Sequence, residues 1–287
     1  MIASRRGAVA STGEAVRVTG EAARTTAEAD RPTRDVLTRG ERNRSLERGI
    51  EILRAFKPGA DLLGNGELAE RTGLSRATVS RLAQTLADCG MLEHDRRNRA
   101  YRLAAPVLSL AHAMRAGSPV LNIAGPAMRA EAERRRINVG LAVADREEMV
   151  YLESVRYSRR VAWRNVVAGQ RVPMEITSLG RAWLAAADDA TFGRLMERFR
   201  VRRTRGWRAL SREINAAVDS VRERGYCWAS WQPEVVALAT PIVVAGHPVY
   251  VLNMSVIGDT IPTESVDRLQ EPLLALARCI QEGIAGL

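Results

Sequence analysis

The stretch from Asn65 to Leu103 constrains the fold more than any other part of this chain. It reads NGELAERTGLSRATVSRLAQTLADCGMLEHDRRNRAYRL. Leu68 and Ala69 belong to a short helix for which Asn65 is a suitable cap, and Gly73 ends it. Leu74-Ser75 opens a second helix, with Ser75 as its cap. In that helix Val79, Leu82, Ala83 and Leu86 recur at i, i+3, i+4 and i+7, which makes one inward-packing stripe. Arg76, Thr78, Ser80, Arg81 and Gln84 fall on the other face. These side chains suit phosphate oxygens and base edges in a major groove. A helix, a short turn containing Gly and a second helix make a helix-turn-helix. Cys89-Gly90 closes the second helix, with Cys89 read as a small buried side chain at its end.

The residues after Gly90 point to a winged form of that motif. Met91-Leu92-Glu93-His94, a turn Asp95-Arg96-Arg97-Asn98, and Arg99-Ala100-Tyr101-Arg102-Leu103 predict two short strands. Arg96, Arg97 and Arg99 crowd the tip, and Arg102 is close by. A charge run in a turn is most often just solvated. Placed directly after a recognition helix, this one predicts a wing that lies on a phosphate backbone or enters a minor groove. Upstream, Ser45 is read as the cap of a helix carrying Leu46, Ile50, Leu53 and Phe56, stopped by Lys57-Pro58-Gly59-Ala60. Lys and Arg total 43 against 33 Asp and Glu, a net charge of +10 that favours a polyanionic partner.

Between 105 and 117 a helix opened by Pro106 links this unit to the remainder, with Val107, Leu110, Ala111 and Met114 free to pack. Gly117-Ser118-Pro119 starts a further helix that Pro126 is expected to kink or end. From Asn138 the period changes to two. Val139, Leu141 and Val143, then Met149, Tyr151 and Glu153 beyond the turn 145–148, predict a β-hairpin. Further strands are read over 161–167, 226–230, 235–244 and 249–257. Helices are read over 177–187, from about 189, from about 211, and over 262–284. This is an antiparallel sheet with helices on it, so the fold class is α+β: an N-terminal winged helix-turn-helix and a C-terminal sheet-based module. The division is 1–42 as a disordered tail, or residues upstream of the true start; 43–104 as the DNA-binding domain; 105–117 as a linker helix; and 118–287 as the second domain, to which the resemblance described next assigns effector binding and oligomerisation.

The motifs together resemble the IclR family of bacterial transcriptional regulators. Ser45-Leu46-Glu47-Arg48-Gly49, Leu68 to Ser75, Thr78-Val79-Ser80-Arg81-Leu82 with Leu86, and Tyr101-Arg102-Leu103 are similar to its DNA-binding domain. Gly169 to Met174, Thr177 to Ala185, Arg224-Gly225-Tyr226 and Ala237 to Ile242 are similar to its second domain. The resemblance spans about residues 43 to 287. It implies a GAF- and PAS-like sensor whose ligand cup lies between the sheet and the Thr177 helix. It also implies a homodimer or homotetramer on a near-palindromic double-stranded DNA operator. That agrees with the few base pairs one recognition helix can read.

The residues of the cup bear on its ligand. Thr177 and Ser178 stand at a helix N-terminus, where free N–H groups and the dipole attract an anion. The alternative for Thr177 is a helix cap and nothing more. Leu179, Trp228, Met254 and Ile257 are expected to form an apolar wall. Ser255 matches a position where the family places an effector-contacting serine, the alternative being an ordinary strand residue. Arg181 follows the family signature and is expected to steady its helix rather than touch ligand. The chain departs from the family at Ile257, where some members have a second serine, and at Ala237, where some have a cysteine. Ala229-Ser230 replaces an acidic pair. These changes disfavour the small keto acids of other members and point to a mostly apolar organic acid; the Gly180-Arg181-Ala182 version of the signature and the apolar walls, which resemble members controlling aromatic catabolism, imply an aromatic one first.

Other classes fit less well. The histidines are His94, His112 and His247, read in the wing, the linker helix and a turn. No nucleophile–base constellation, zinc spacing or Gly-rich phosphate loop stands out, so neither an enzyme nor a cofactor or metal is expected. Charge alone would allow a nucleoid-like structural binder, but a discrete recognition helix and a large second module argue against it. Cys89, Cys227 and Cys279 are scattered and odd in number, which fits a reducing cytoplasm. No window offers the ~18 apolar residues of a membrane span. Arg5-Arg6 lacks a following apolar run, so no export signal is read.

Overall fold

A computed structural model describes residues 43–157, 167–230, 235–257 and 262–287. The first helix, α1 (Arg44–Arg54), is capped by Asn43, not by Ser45. The Asn43 carboxamide oxygen accepts from the amides of Ser45 and Leu46, both at 3.1 Å. Strand β1 (Leu63–Gly64) leads into α2 (Asn65–Thr72). Here too the cap differs from expectation: Glu67 reaches back to accept from the Gly64 amide at 2.9 Å, and Gly64 is the capping position. Gly73 ends α2 at φ 68°, a left-handed conformation that glycine adopts without strain. α3 (Arg76–Asp88) starts at the Ser75 cap, and β2 (Leu92–Asp95) and β3 (Ala100–Leu103) form the wing hairpin. β1 adds to it, giving the order β1-β3-β2. Ile52, Leu63, Leu68, Val79, Ala83, Leu92 and Tyr101 make a separate hydrophobic core for this part.

α4 (Ala105–Ala116) buries none of its residues. α5 (Pro119–Arg135) opens at a Ser118 cap and runs on through Pro126, so of the two expected outcomes, a kink or an end, the helix does not end there. After it come β4 (Asn138–Asp145) and β5 (Glu148–Val155), with a register shift between Leu141 and Ala142. β6 (Arg171–Pro173), unread in the sequence, pairs with β5. The strand expected over 161–167 lies outside the described residues but for its last residue. Helices α6 (Ser178–Ala186), α7 (Asp189–Arg202) and α8 (Trp207–Arg224) come next. α8 begins four residues before the expected Ser211. Then come β7 (Cys227–Ala229), β8 (Val235–Ile242), β9 (Tyr250–Ile257) and α9 (Pro262–Ala285).

The second sheet is six-stranded and antiparallel, in the order β6-β5-β4-β9-β8-β7. Both faces are covered. Leu141, Leu238, Leu252 and Met254 pack with Met128 of α5 and Leu273 and Ile280 of α9. Ala142, Met149, Ala239 and Val251 share the opposite core with Leu179 of α6, Phe199 of α7 and Ile214 of α8. Period-two alternation therefore assigns each strand residue to one of two cores. No described helix is long and apolar enough to cross a membrane.

Candidate functional site: a recognition helix and an effector cup

α3 divides as its sequence predicts. Val79 and Ala83 are fully buried, Leu82 and Leu86 half-buried, while Arg76, Ser80, Arg81 and Gln84 are exposed. The free groups are unequal. Thr78 is half-buried and committed to the cap, with its amide donating to Ser75 Oγ at 3.2 Å and its hydroxyl 2.9 Å from that oxygen. Gln84 donates to Asp88 at 2.8 Å, so it must leave that carboxylate to read a base. Arg76 and Arg81 have no carboxylate partner among the described residues, which leaves two guanidiniums and the Ser80 hydroxyl ready for a groove. Cys89 is exposed, contrary to the buried role expected of it.

In the wing, Arg102 is spent on Asp95 at 2.7 Å. The Asp95 carboxyl is held below its ordinary range, first by the backbone and side-chain N–H groups of Asn98 and then by Arg102. Arg96, Arg97 and Arg99 stay exposed at the tip, with Arg99 in the left-handed region at φ 50°. One arginine thus steadies the hairpin, and three have no ion-pair partner among the described residues.

The cup is built on the N-terminus of α6. Thr177 and Ser178 are each 2% exposed. The Thr177 hydroxyl donates to the Pro173 carbonyl at 2.7 Å and accepts from the Gly180 amide at 3.3 Å, so it works as a cap and braces the preceding turn. Ser178 gives its backbone carbonyl to the Cys227 thiol at 3.4 Å, and burial pushes that thiol up to about 12. Arg181 also braces: its Nε donates to the Glu175 carbonyl at 3.1 Å and its terminal nitrogen to Glu213 at 2.8 Å. The Glu175 carboxylate is wholly buried and held by Arg202 and Arg203 at 2.9 and 3.0 Å.

α6 packs against β7, β8 and β9. On the α6 side of the sheet, the row Ala229–Ala237–Ser255–Asn138 presents short side chains. Leu179 packs into the α6-side core. Two expected wall residues do not belong here. Met254 is fully buried in the core beneath α5 and α9. Trp228 sits directly opposite Leu238 in the register, so it shares that same far face, where it is 40% exposed. Ile257 closes β9, and its side chain lies outside the described part.

One polar group escaped the sequence reading. Asn253, 5% exposed, lies on the α6 side between Ala239 and Gly140. Its side-chain oxygen is buried with no hydrogen-bond partner. A Cβ on Gly140 would come within 2.4 Å of that oxygen and 2.5 Å of the Tyr151 ring, so glycine makes room for both. Burial pushes the Tyr151 phenol up, and the Asn253 carboxamide beside it partly offsets this. The available signal was a single carboxamide in the strand Tyr250–Ile257, at a position where the alternation points inward.

Comparison with known proteins covers both regions. Residues 45–96 match the IclR helix-turn-helix domain, and residues 112–282 match the bacterial transcriptional regulator IclR C-terminal domain. The chain is similar to the HTH-type transcriptional regulator TsaQ1/TsaQ2 of Comamonas testosteroni. It is 35% identical over 63% of this chain and 66% of that protein. It is similar to the p-hydroxybenzoate hydroxylase transcriptional activator of Acinetobacter baylyi, 27% identical over 80% and 87% of the two chains. Among solved structures, an IclR family transcriptional regulator from Brucella abortus superposes with a TM-score of 0.79 at 30% identity, covering 86% of this chain and 94% of that one.

Proposed function

Because the chain belongs to the IclR family of bacterial transcriptional regulators, we propose that it reads a near-palindromic operator as a homodimer or homotetramer and that a small aromatic carboxylate modulates this binding. It is a DNA-binding transcriptional regulator and not an enzyme. Residues 43–104 read DNA, 105–117 link, and 118–287 bind effector and assemble. The regulator acts in the cytoplasm, where its operator is.

The observation that carries the DNA half is the unpaired Arg76, Ser80 and Arg81 face opposite Val79 and Ala83, with Arg96, Arg97 and Arg99 on the flanking wing. Assembly is supported by the apolar surface of α4, where Leu108, Leu110 and Met114 are 73%, 61% and 53% exposed. A second copy would cover it.

The effector half rests on the buried α6 N-terminus above the short row Ala229–Ala237–Ser255. An anion end there meets the first-turn amides and the Ser178 and Ser255 hydroxyls. Leu179 lies beside it, and Asn253 offers a carboxamide for a ring substituent. The aromatic choice draws on the short side chains of Ala229 and Ala237 beside Leu179 and on the likeness to the p-hydroxybenzoate hydroxylase transcriptional activator of Acinetobacter baylyi.

The test is calorimetric titration of a panel of aromatic and aliphatic carboxylates against wild type, Ser178→Trp and Ser255→Ala. Bound and free protein are then footprinted on an operator obtained by selection. Two half-sites about one helical turn apart are expected, with a ligand that loses affinity in both variants. A ligand bound equally by all three proteins places the site elsewhere.

A further inference from the structure

The recognition helix and wing do not account for all of the basic excess. Residues 194–212 contain eight arginines and a single carboxylate, Glu197. Four of these arginines are spent inside the protein. Arg198 and Arg202 hold Glu147 at 3.1 and 3.0 Å, Arg202 and Arg203 hold buried Glu175, and Arg200 pairs with Glu197 at 2.7 Å. Arg194 donates only to the Thr191 hydroxyl.

The remaining three are different. Arg205, Arg208 and Arg212 are exposed and have no hydrogen bond or ion pair among the described residues. Arg208 and Arg212 are four apart on α8, so they share one helix face, with Arg205 in the turn at its foot. Trp207, Leu210 and Ile214 pack into the core on the other side, which fixes that face toward solvent. Glu213, the nearest carboxylate in sequence, is turned away to Arg181. A solvated helix face ordinarily mixes signs. Three neighbouring cations with nothing to neutralise them repel one another and suit a polyanion.

Their position in the fold selects the polyanion. The arginines that precede them on α7 clasp Glu147 in the β4–β5 turn. The same turn is tied to α1 and the residues just after it through Arg146–Glu51, Asp145–Arg54 at 3.2 Å and Glu148–Lys57 at 3.0 Å. A cleft of about 680 Å³ there is lined by Arg54 and Arg71 from the helix-turn-helix, by Arg171 and Arg202 from the second part, and by Glu51, Glu147 and Glu148. The cleft's charges are largely paired with one another, so these ties join the α7 region to the DNA-reading unit while the three free cations lie on the α7–α8 turn.

We propose that the α7–α8 turn is a second phosphate-contacting surface, with Arg205, Arg208 and Arg212 holding the backbone of duplex DNA that flanks the half-site read by α3. It rests on recognition by α3 and adds length, not sequence, to what the protein grips. Guanidiniums on phosphates carry no base information but do release counterions. Each contact steepens the dependence of log affinity on log salt by about 0.9. Three contacts steepen it by between two and three per protomer.

The experiment uses the full chain and two duplexes, the selected operator core alone and the core extended by about one helical turn on each side. Affinity is measured from low to moderate salt for wild type, for the triple variant Arg205→Ala/Arg208→Ala/Arg212→Ala, and for the same three changed to Lys. Wild type should prefer the extended duplex by tenfold or more at low salt. The alanine variant should bind both duplexes alike, match wild type on the core, and show a shallower salt slope on the extended duplex. The lysine variant should recover most of the length preference, because the contact needs charge. An alanine variant that keeps the length preference overturns the proposal. So does one that weakens on core and extended duplex alike, or one that binds both as wild type does yet fails to regulate, which would assign the turn to an acidic protein. Failure of wild type on the core duplex would instead reject the α3 reading, and this proposal with it.

Discussion

Gly180→Ala probes how closely α6 is seated on the turn that precedes it. A Cβ built at Gly180 lies 2.1 Å from Met174 Cα, 2.3 Å from its carbonyl oxygen and 2.5 Å from its carbonyl carbon. Ordinary contact starts near 3.4 Å, so more than 1 Å must be found. All three atoms are backbone, and no rotamer change relieves them. The turn is pinned by Thr177 to Pro173, by Arg181 to the Glu175 carbonyl, and by Arg202 and Arg203 to the buried Glu175 carboxylate. The strain therefore falls on α6, lifting fully or nearly buried Leu179 and Ala182 off the sheet. Overpacking costs about 1–3 kcal/mol, and a backbone clash of this depth belongs at the top of that range. For a domain of this size about 3 kcal/mol corresponds to a melting temperature lower by roughly 6–12 °C. Gly193→Ala is the control. It lies inside α7 with nothing within 4 Å of the new methyl, so it should gain about 0.5–1 kcal/mol from helix propensity. Scanning calorimetry of the three proteins decides the matter. Melting of Gly180→Ala within a degree of wild type, or below-wild-type melting of Gly193→Ala instead, would refute the packing argument.

Two further outcomes are expected. Arg81→Ala should cost about 1–3 kcal/mol of operator affinity and relax one base position, whereas Arg97→Ala should weaken all sequences alike and flatten the salt slope; fluorescence anisotropy that found Arg76→Ala and Arg81→Ala both silent would mean the wrong helix was assigned. Cys89 and Cys279 are exposed while the Cys227 thiol is buried and pushed up to about 12. At pH 8 iodoacetamide should label the first two quickly and Cys227 only after unfolding, and mass spectrometry showing equal labelling would contradict the Cys227–Ser178 contact.

The helix-turn-helix was legible because its signals are local. Ser75 caps α3 with its own side chain and Gly73 alone can adopt the turn at low cost, so both ends follow from residue type. Where a cap depends on reach, the sequence misled: Glu67 caps Gly64 from three residues away, and Asn43 displaced Ser45. α8 gave no start signal, since Gly206 at φ 75° offers no capping side chain. β1 and β6, two and three residues long, are too short to show a period. The cup was read with one avoidable error. Met254 and Ser255 are adjacent in a strand, so they cannot face the same helix, and the alternation that puts Ser255 toward α6 puts Met254 beneath α9. Trp228 could not be assigned without the register that sets it opposite Leu238. The partnerless Asn253 oxygen is a three-dimensional fact, visible only once Gly140 and Tyr151 are beside it.

The same contacts bound how strongly a ligand at α6 can act on the recognition unit. From the α6 turn the connection within one chain runs through the Glu175 carboxylate to Arg202, from Arg202 to Glu147, and from the 145–148 turn to Glu51, Arg54 and Lys57. Arg171 braces that turn by binding both Asp145 and Glu148. Burial pushes the Asp145 and Glu148 carboxyls up, and the arginines and Lys57 more than offset it, so both stay ionised across the neutral range. Every link beyond Glu175 is a partly exposed ion pair, and such pairs contribute about 0–1 kcal/mol each. Three of them join the turn to α1 and the residues just after it, but Arg202–Glu147 is a single pair in series with them, so this route transmits at most about 1 kcal/mol, and less as salt screens it. About 1 kcal/mol is roughly a fivefold change in operator affinity, since about 1.4 kcal/mol is tenfold. It also means that the coupling and the affinity weaken together as ionic strength rises, one through its ion pairs and the other through its phosphate contacts.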